Sequence, residues 1–140
     1  MTDLKINVAT SETDKQDCYR LRHIVFVEEQ GVPVELELDE HDDSNAIHFL
    51  GRFDGEPVAA SRIVVFGDSA KIQRVVVLDS CRGRNFGKVL MQFMMEHIRS
   101  HGLAAEISLD AQTYATAFYQ ALGFETRGEE FDDAGIPHIQ

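Results

Sequence analysis

Val75-Val76-Val77-Leu78-Asp79-Ser80-Cys81-Arg82-Gly83-Arg84-Asn85-Phe86-Gly87-Lys88 reads as a buried strand, a short basic turn and the start of a helix. The apolar run Val75–Leu78 suits a strand covered by protein, and after Asn85 the apolar positions recur at helical spacing. The first N–H groups of a helix have no partner within it, and the helix dipole adds partial positive charge at that end. Such a junction holds an anion, a phosphate or pyrophosphate above all. Gly83 and Gly87 allow close backbone approach, while Arg82, Arg84 and Lys88 add charge. Two common phosphate loops are excluded by spacing. Three residues separate Gly83 from Gly87 where a nucleoside-triphosphate loop has four, and Val89 follows Lys88 where that loop needs Ser or Thr. The dinucleotide fingerprint G-x-G-x-x-G is absent as well.

The charge around this junction stands out from the rest of the chain. The formal net charge is −11, which argues against nonspecific nucleic-acid binding, because that needs cations to displace counterions from phosphates. Yet of 13 Lys and Arg, five (Lys71, Arg74, Arg82, Arg84, Lys88) fall between 71 and 88, with Asp79 the only acid there. A positive island in an acidic chain points to a small anionic ligand. The 140 residues, 44% hydrophobic and 26% charged, fit one soluble globular domain spanning 1–140. No apolar run is long enough to cross a bilayer, and Met1–Lys5 does not open a secretion signal. Cys18 and Cys81 are too few for a disulfide framework or a zinc cluster. A reducing cytoplasm is the expected home, with no membrane partner and no metal.

Outward from the junction, Lys71–Leu78 reads as one strand and Asn85 to His101 as a helix closed by Gly102, with Phe86, Val89, Leu90, Phe93, Met94 and Ile98 on one side. Upstream, Ala46–Phe53 and Pro57–Phe66 are strand-like runs around Asp54-Gly55, a strong tight-hairpin signal. Leu4–Val8 alternates as a first strand, and Ser11 or Thr13 caps a helix expected to reach about Gln30, with Cys18, Leu21, Ile24, Val25 and Phe26 along its apolar side. The acidic stretch Glu35 to Asp43 reads as a loop with a short helical turn. Downstream, Ala104–Leu109 is a strand, Tyr114–Leu122 a short helix closed by Gly123, and Phe124–Gly128 another strand. The order implies an α/β protein, a mixed sheet with helices on its faces.

Arg82, Asn85 and Gly87 occupy the marked positions of Gln/Arg-x-x-Gly-x-Gly/Ala, and Ala117-Phe118-Tyr119-Gln120-Ala121-Leu122-Gly123-Phe124 is similar to A-x-F-Y-x-x-L-G-F, matching it from Phe118 onward. On these motifs the chain resembles the GCN5-related N-acetyltransferase (GNAT) family. Asn85 departs from the usual Gly, but Asn most readily adopts left-handed φ/ψ after Gly. Val25–Pro33 and Gly135-Ile136-Pro137-His138 resemble, more narrowly, the YjcF/ElaA branch.

The resemblance implies a mostly antiparallel twisted sheet flanked by helices, and transfer of an acetyl group from acetyl-CoA to a primary amine by direct attack on the thioester. It implies that the pyrophosphate rests on backbone from Arg82 through Gly83, Arg84, Asn85, Phe86 and Gly87 to Lys88. The pantetheine arm would run beside Val75, Val76 and Val77, with Gln112 near the meeting point of cofactor and acceptor. Tyr119 is the expected general acid, since a hydroxyl within reach can protonate the departing sulfur. Glu28 is the preferred base, with Glu29, Asp39, Glu40 and His48 as others; a carboxylate at a helix C-terminus is opposed by the dipole, and a role would explain it. His138 is a further candidate to line the site. Cys81, without a positioned base, is read as a packed thiol. The acidic run Glu35–Asp43 could attract a cationic amine. A homodimer is a possible assembly, and the alternative function is a non-catalytic coenzyme A sensor on the same fold.

Overall fold

The computed structural model describes residues 4–32, 46–82, 85–109, 111–112, 116–124, 131–133 and 136–139. The acidic run 35–43, Gly83, Arg84, Asp110 and the expected strand after Phe124 lie outside the described residues.

β1 (Lys5–Val8), β2 (Ala46–Phe53), β3 (Glu56–Phe66) and β4 (Ser69–Val77) form an antiparallel meander. β5 (Glu106–Leu109) joins it in parallel, giving the order β1-β2-β3-β4-β5. The sheet is thus mixed and mostly antiparallel, as expected. Asp54 and Gly55 both take positive φ (53° and 79°), the geometry whose twist matches a tight hairpin. α1 (Glu12–Arg22) begins at Ser11, whose hydroxyl accepts from the Asp14 N–H at 3.1 Å. It covers one face, where Cys18, Leu21 and Val25 pack on Leu50, Ala60 and Val76. α2 (Phe86–Ser100) covers the other, placing Phe86, Leu90, Met91, Met94 and Ile98 against Phe49, Ile63, Ala70 and Ile72. Met91 takes the inward place that the sequence reading gave to Phe93, which is 37% exposed beside Phe49.

The first helix does not run on regularly to Gln30. After Arg22 it widens into a π-helical segment, His23–Glu29, closed by bonds such as Gln30 N–H to the Val25 carbonyl (3.0 Å). Ile24, Val25 and Val27 are β-branched and crowd an α-turn, and the wider turn relieves them. Gly31, at φ 77°, ends the segment.

α3 (Thr116–Ala121) follows β6 (Ala111–Gln112). β6, β7 (Phe131–Asp133) and β8 (Ile136–Ile139) make a second sheet in the order β6-β8-β7. The sequence reading did not foresee this C-terminal hairpin, whose strands are too short to show a period. No helix among the described residues is long and apolar enough to cross a membrane.

Candidate active site

The site begins at an irregularity in β4. Pairing with β3 steps from Ala60↔Val76 to Arg62↔Gln73, so Ser61 faces both Arg74 and Val75. This is a β-bulge, and Arg74 takes the left-handed conformation at φ 57°, where a side chain costs about 1–2 kcal/mol. The extra residue reverses which face each later side chain meets. Ile72 packs toward α2, whereas Val76 packs toward α1, with Val75 and Val77 returned to the α2 side. An uninterrupted strand over Lys71–Leu78 is therefore corrected to a bulged one. Arg62, fully buried, holds the residue before the bulge: its Nε and Nη2 both donate to Gln73 Oε1, at 3.0 and 2.7 Å.

The bulge coincides with a division of the sheet. The β4–β5 ladder runs from Ser69↔Glu106 to Ile72↔Leu109, while β4 itself continues to Val77. Beyond Leu109 the chain turns to another partner, since Ala111 and Gln112 pair with Ile139 and His138 in the second sheet. The Arg74–Val77 half of β4 and β6 thus belong to different sheets, and we call this division the wedge.

At the end of β4 a 3₁₀ turn, Asp79–Cys81, leads into the loop before α2. Asn85 caps α2 at φ 64°, ψ 18°, and its carbonyl accepts the first helical bond from Val89 (3.0 Å). The position requires the left-handed conformation that Gly usually supplies, and Asn supplies it here. Asn85→Ala is expected to lower stability by about 1 kcal/mol and to weaken cofactor binding, whereas Asn85→Gly preserves both; urea unfolding and calorimetric titration of the two variants check this. Gly87 lies in the first turn, and a methyl added there would meet the Phe118 ring at 3.4 Å. α3 thus rests on the start of α2. Lys88 is exposed on the same turn.

Tyr119 is half-buried on the α2-side core, with ring centroids 5.0 Å from Phe118 and 6.2 Å from Phe124. The structure therefore gathers Val75, Val77, Phe86 and Tyr119 on one apolar cluster, with Gly87 reached through Phe118. Val76 points to the opposite face. For Gln112 the backbone alone is described, on β6 facing His138.

Arg82 departs from the picture of a cation aimed only at phosphate. Its Nη1 and Nη2 meet Glu29 Oε1 and Oε2 at 2.5 and 3.1 Å, and its Nε donates to the Val77 carbonyl at 3.1 Å. Glu28 is exposed and pairs with His23 Nδ1 at 3.1 Å. His48 is buried edge-on to Tyr19, in cross-strand register with Arg62. Asp39 and Glu40 lie outside the described residues. Both cysteines are buried free thiols, and burial pushes the Cys18 thiol up to about 12, where it is unreactive at neutral pH. The Arg74 bulge and the Arg82–Glu29 pair had no signal in the sequence.

Comparison with known proteins agrees with this geometry. The model of the acetyltransferase (GNAT) domain matches residues 16–140. The uncharacterized N-acetyltransferase YjcF of Bacillus subtilis is 38% identical over 139 residues, covering 98% of this chain and 97% of YjcF. The crystal structure of Escherichia coli ElaA superposes with a TM-score of 0.86 at 30% identity, over 98% of this chain and 96% of that one. An acyl-CoA N-acyltransferase from Pseudomonas aeruginosa gives a TM-score of 0.86 at 27% identity, over 99% and 97% of the two chains. A bulged fourth strand, a divided sheet and a glycine-containing helix start are thus joined to matches over nearly the whole sequence, and the chain belongs to the GNAT acetyltransferases, as an enzyme of acyl transfer in the branch of YjcF and ElaA.

Proposed function

We propose that the enzyme takes acetyl-CoA as acyl donor and a primary amine as acceptor, and that the amine attacks the thioester directly. The observation that carries this reading is the early end of the β4–β5 ladder at Ile72↔Leu109 beside a β4 that continues to Val77. An amide-bearing pantetheine arm could pair there with the backbone of Val75–Val77 as a further strand, because backbone groups at a parted ladder need partners. Among the described residues of the Arg82–Lys88 stretch, the start of α2 at Asn85, Phe86 and Gly87 offers N–H groups to the pyrophosphate. Gln112 stands on β6 across the wedge.

In the transfer, the amine lone pair forms the C–N bond as the carbonyl π electrons move to oxygen, and collapse of that oxyanion breaks the C–S bond. Backbone N–H groups of the parted strand stabilise the oxyanion in between. Tyr119 gives its proton to the leaving sulfur, and Glu28 takes the proton of the amine, directly or through water. The acidic run Glu35–Asp43 supports a cationic acceptor, such as a polyamine or a lysine side chain. The burial of both free thiols supports a reducing, cytoplasmic setting. Pairing of two copies through the edge strand β1 would account for a homodimer. A non-catalytic sensor rests only on the Asn85 substitution, and Asn85 adopts the conformation that the loop requires.

Calorimetric titration tests the cofactor. Saturable one-site binding of acetyl-CoA, with none of ATP or NAD, is expected. A folded sample that gives no heat with acetyl-CoA would sink the reading. Thiol release over a panel of amines then identifies the acceptor class.

A further inference from the structure

The Arg82 guanidinium joins segments far apart in sequence. It forks onto the Glu29 carboxylate at the end of the π-helical segment, reaches Asp79 Oδ1 at 3.4 Å, and donates through Nε to the carbonyl of Val77, the last residue of β4. Its own backbone is extended (φ −72°, ψ 154°) as the chain leaves the 3₁₀ turn for Asn85 and α2. One planar group therefore ties the end of β4 and the 3₁₀ turn to the segment that carries Glu28. Planar, two-point geometry is what distinguishes an Arg–carboxylate fork from a simple attraction of charges.

The charges make the arrangement informative. One guanidinium stands against two carboxylates, so this corner does not attract an anion by its net charge. Glu29 also ends a helical segment, where the dipole disfavours a carboxylate. Arg82 offsets that.

We infer that Glu29 is a positioning residue for the cofactor-binding start of α2: by forking onto Arg82, whose Nε donates to the Val77 carbonyl, it fixes the chain leaving β4 ahead of the Asn85–Gly87 amides and ties it to the segment bearing Glu28. The inference rests on the acetyl-CoA reading above. It also predicts a sign opposite to that of simple electrostatics. Removing a negative charge beside a polyanionic ligand should tighten binding if Glu29 acts only through its field, or if it merely competes with phosphate for Arg82. If Glu29 positions the loop, the same substitution weakens binding.

Acetyl-CoA is titrated calorimetrically into the wild type, Glu29→Gln, Arg82→Lys, Arg82→Ala and the Glu29→Gln/Arg82→Ala double variant. Glu96→Gln is the control, since it breaks the exposed Glu96–Arg99 pair elsewhere on α2. The Glu29–Arg82 pair lies at the surface, with side chains 36% and 41% exposed, so the variants keep the fold, checked by their thermal midpoints. A Kd increase of about five- to tenfold is expected for Glu29→Gln, with a similar loss in Arg82→Lys, which keeps the charge but not the fork. The double variant matches Arg82→Ala, since coupled residues do not add. The kcat of Glu29→Gln at saturating acetyl-CoA separates positioning from the base role also considered for Glu29: a fall of about 10²-fold or more would make it a proton acceptor and overturn the inference, whereas a loss confined to Kd supports it. An unchanged or tighter Kd in Glu29→Gln overturns the inference while leaving the cofactor reading intact, and so does an equal loss in Glu96→Gln. Wild-type protein that fails to bind acetyl-CoA overturns both.

Discussion

Tyr119→Phe lowers kcat by about 10²–10⁴-fold, the range a positioned general acid contributes, and leaves the Kd for acetyl-CoA within about twofold. The split follows from what the substitution keeps. Tyr119 is half-buried through its ring, which packs edge-on to Phe118 and Phe124 and against the α2-side core. Phenylalanine retains that ring, and with it the seating of α3 on Gly87 at the start of the cofactor helix. Only the hydroxyl is lost. Thiol release at saturating amine measures kcat, and calorimetry measures Kd. Unchanged kcat would remove Tyr119 from the chemistry. A parallel loss of binding would make it a prop for α3 instead.

Phe49→Ala lowers the unfolding free energy by about 3–5 kcal/mol, the range for deleting a fully buried aromatic ring. Phe49 is fully buried on β2, and its ring meets Phe93 and His97 of α2 edge-on, with centroids 6.0 and 5.3 Å away. The lost ring removes apolar burial, two aromatic contacts and much of the surface on which α2 rests. Domains of this size have only about 5–15 kcal/mol in hand, so a large share of the stability goes. Urea unfolding reads the loss as a fall in midpoint at unchanged slope. The folded fraction keeps its kcat, because the wedge at Arg74–Val77 is bordered by other residues. A loss below about 1 kcal/mol would mean that α2 settles into the space.

Where local chemistry decides the conformation, the sequence was readable. Asp54-Gly55 demands one turn, the Val-rich run demands a strand, and Asn85 tolerates the left-handed cap, all of which the structure contains. The apolar positions of α2 were nearly right, with Met91 exchanged for Phe93 because a wide apolar stripe leaves its margin undecided. The features that shape the site are of another kind. The Arg74 bulge sets a residue with no conformational preference for positive φ in a strand, where the pairing with β3 shifts register. The π-helical turn at His23–Glu29 relieves β-branched crowding that a plain amphipathic pattern does not register. The Arg82–Glu29 fork joins positions 53 apart in sequence, beyond any local pattern. The family motifs therefore pointed to Arg82 as a site residue but not to the company it keeps.

The second sheet bears on the order in which the molecule assembles. β2, β3 and β4 are neighbours in space as in sequence, so their hairpins can close early and cheaply. β8 instead inserts between β6 and β7, setting Gln112 beside His138. On a ribosome, the far wall of the wedge can close only after β8 has emerged, when the meander and α2 are already available as a template. Acyl transfer is then expected only after the C-terminal sheet has formed, and would report its completion more stringently than the formation of secondary structure does.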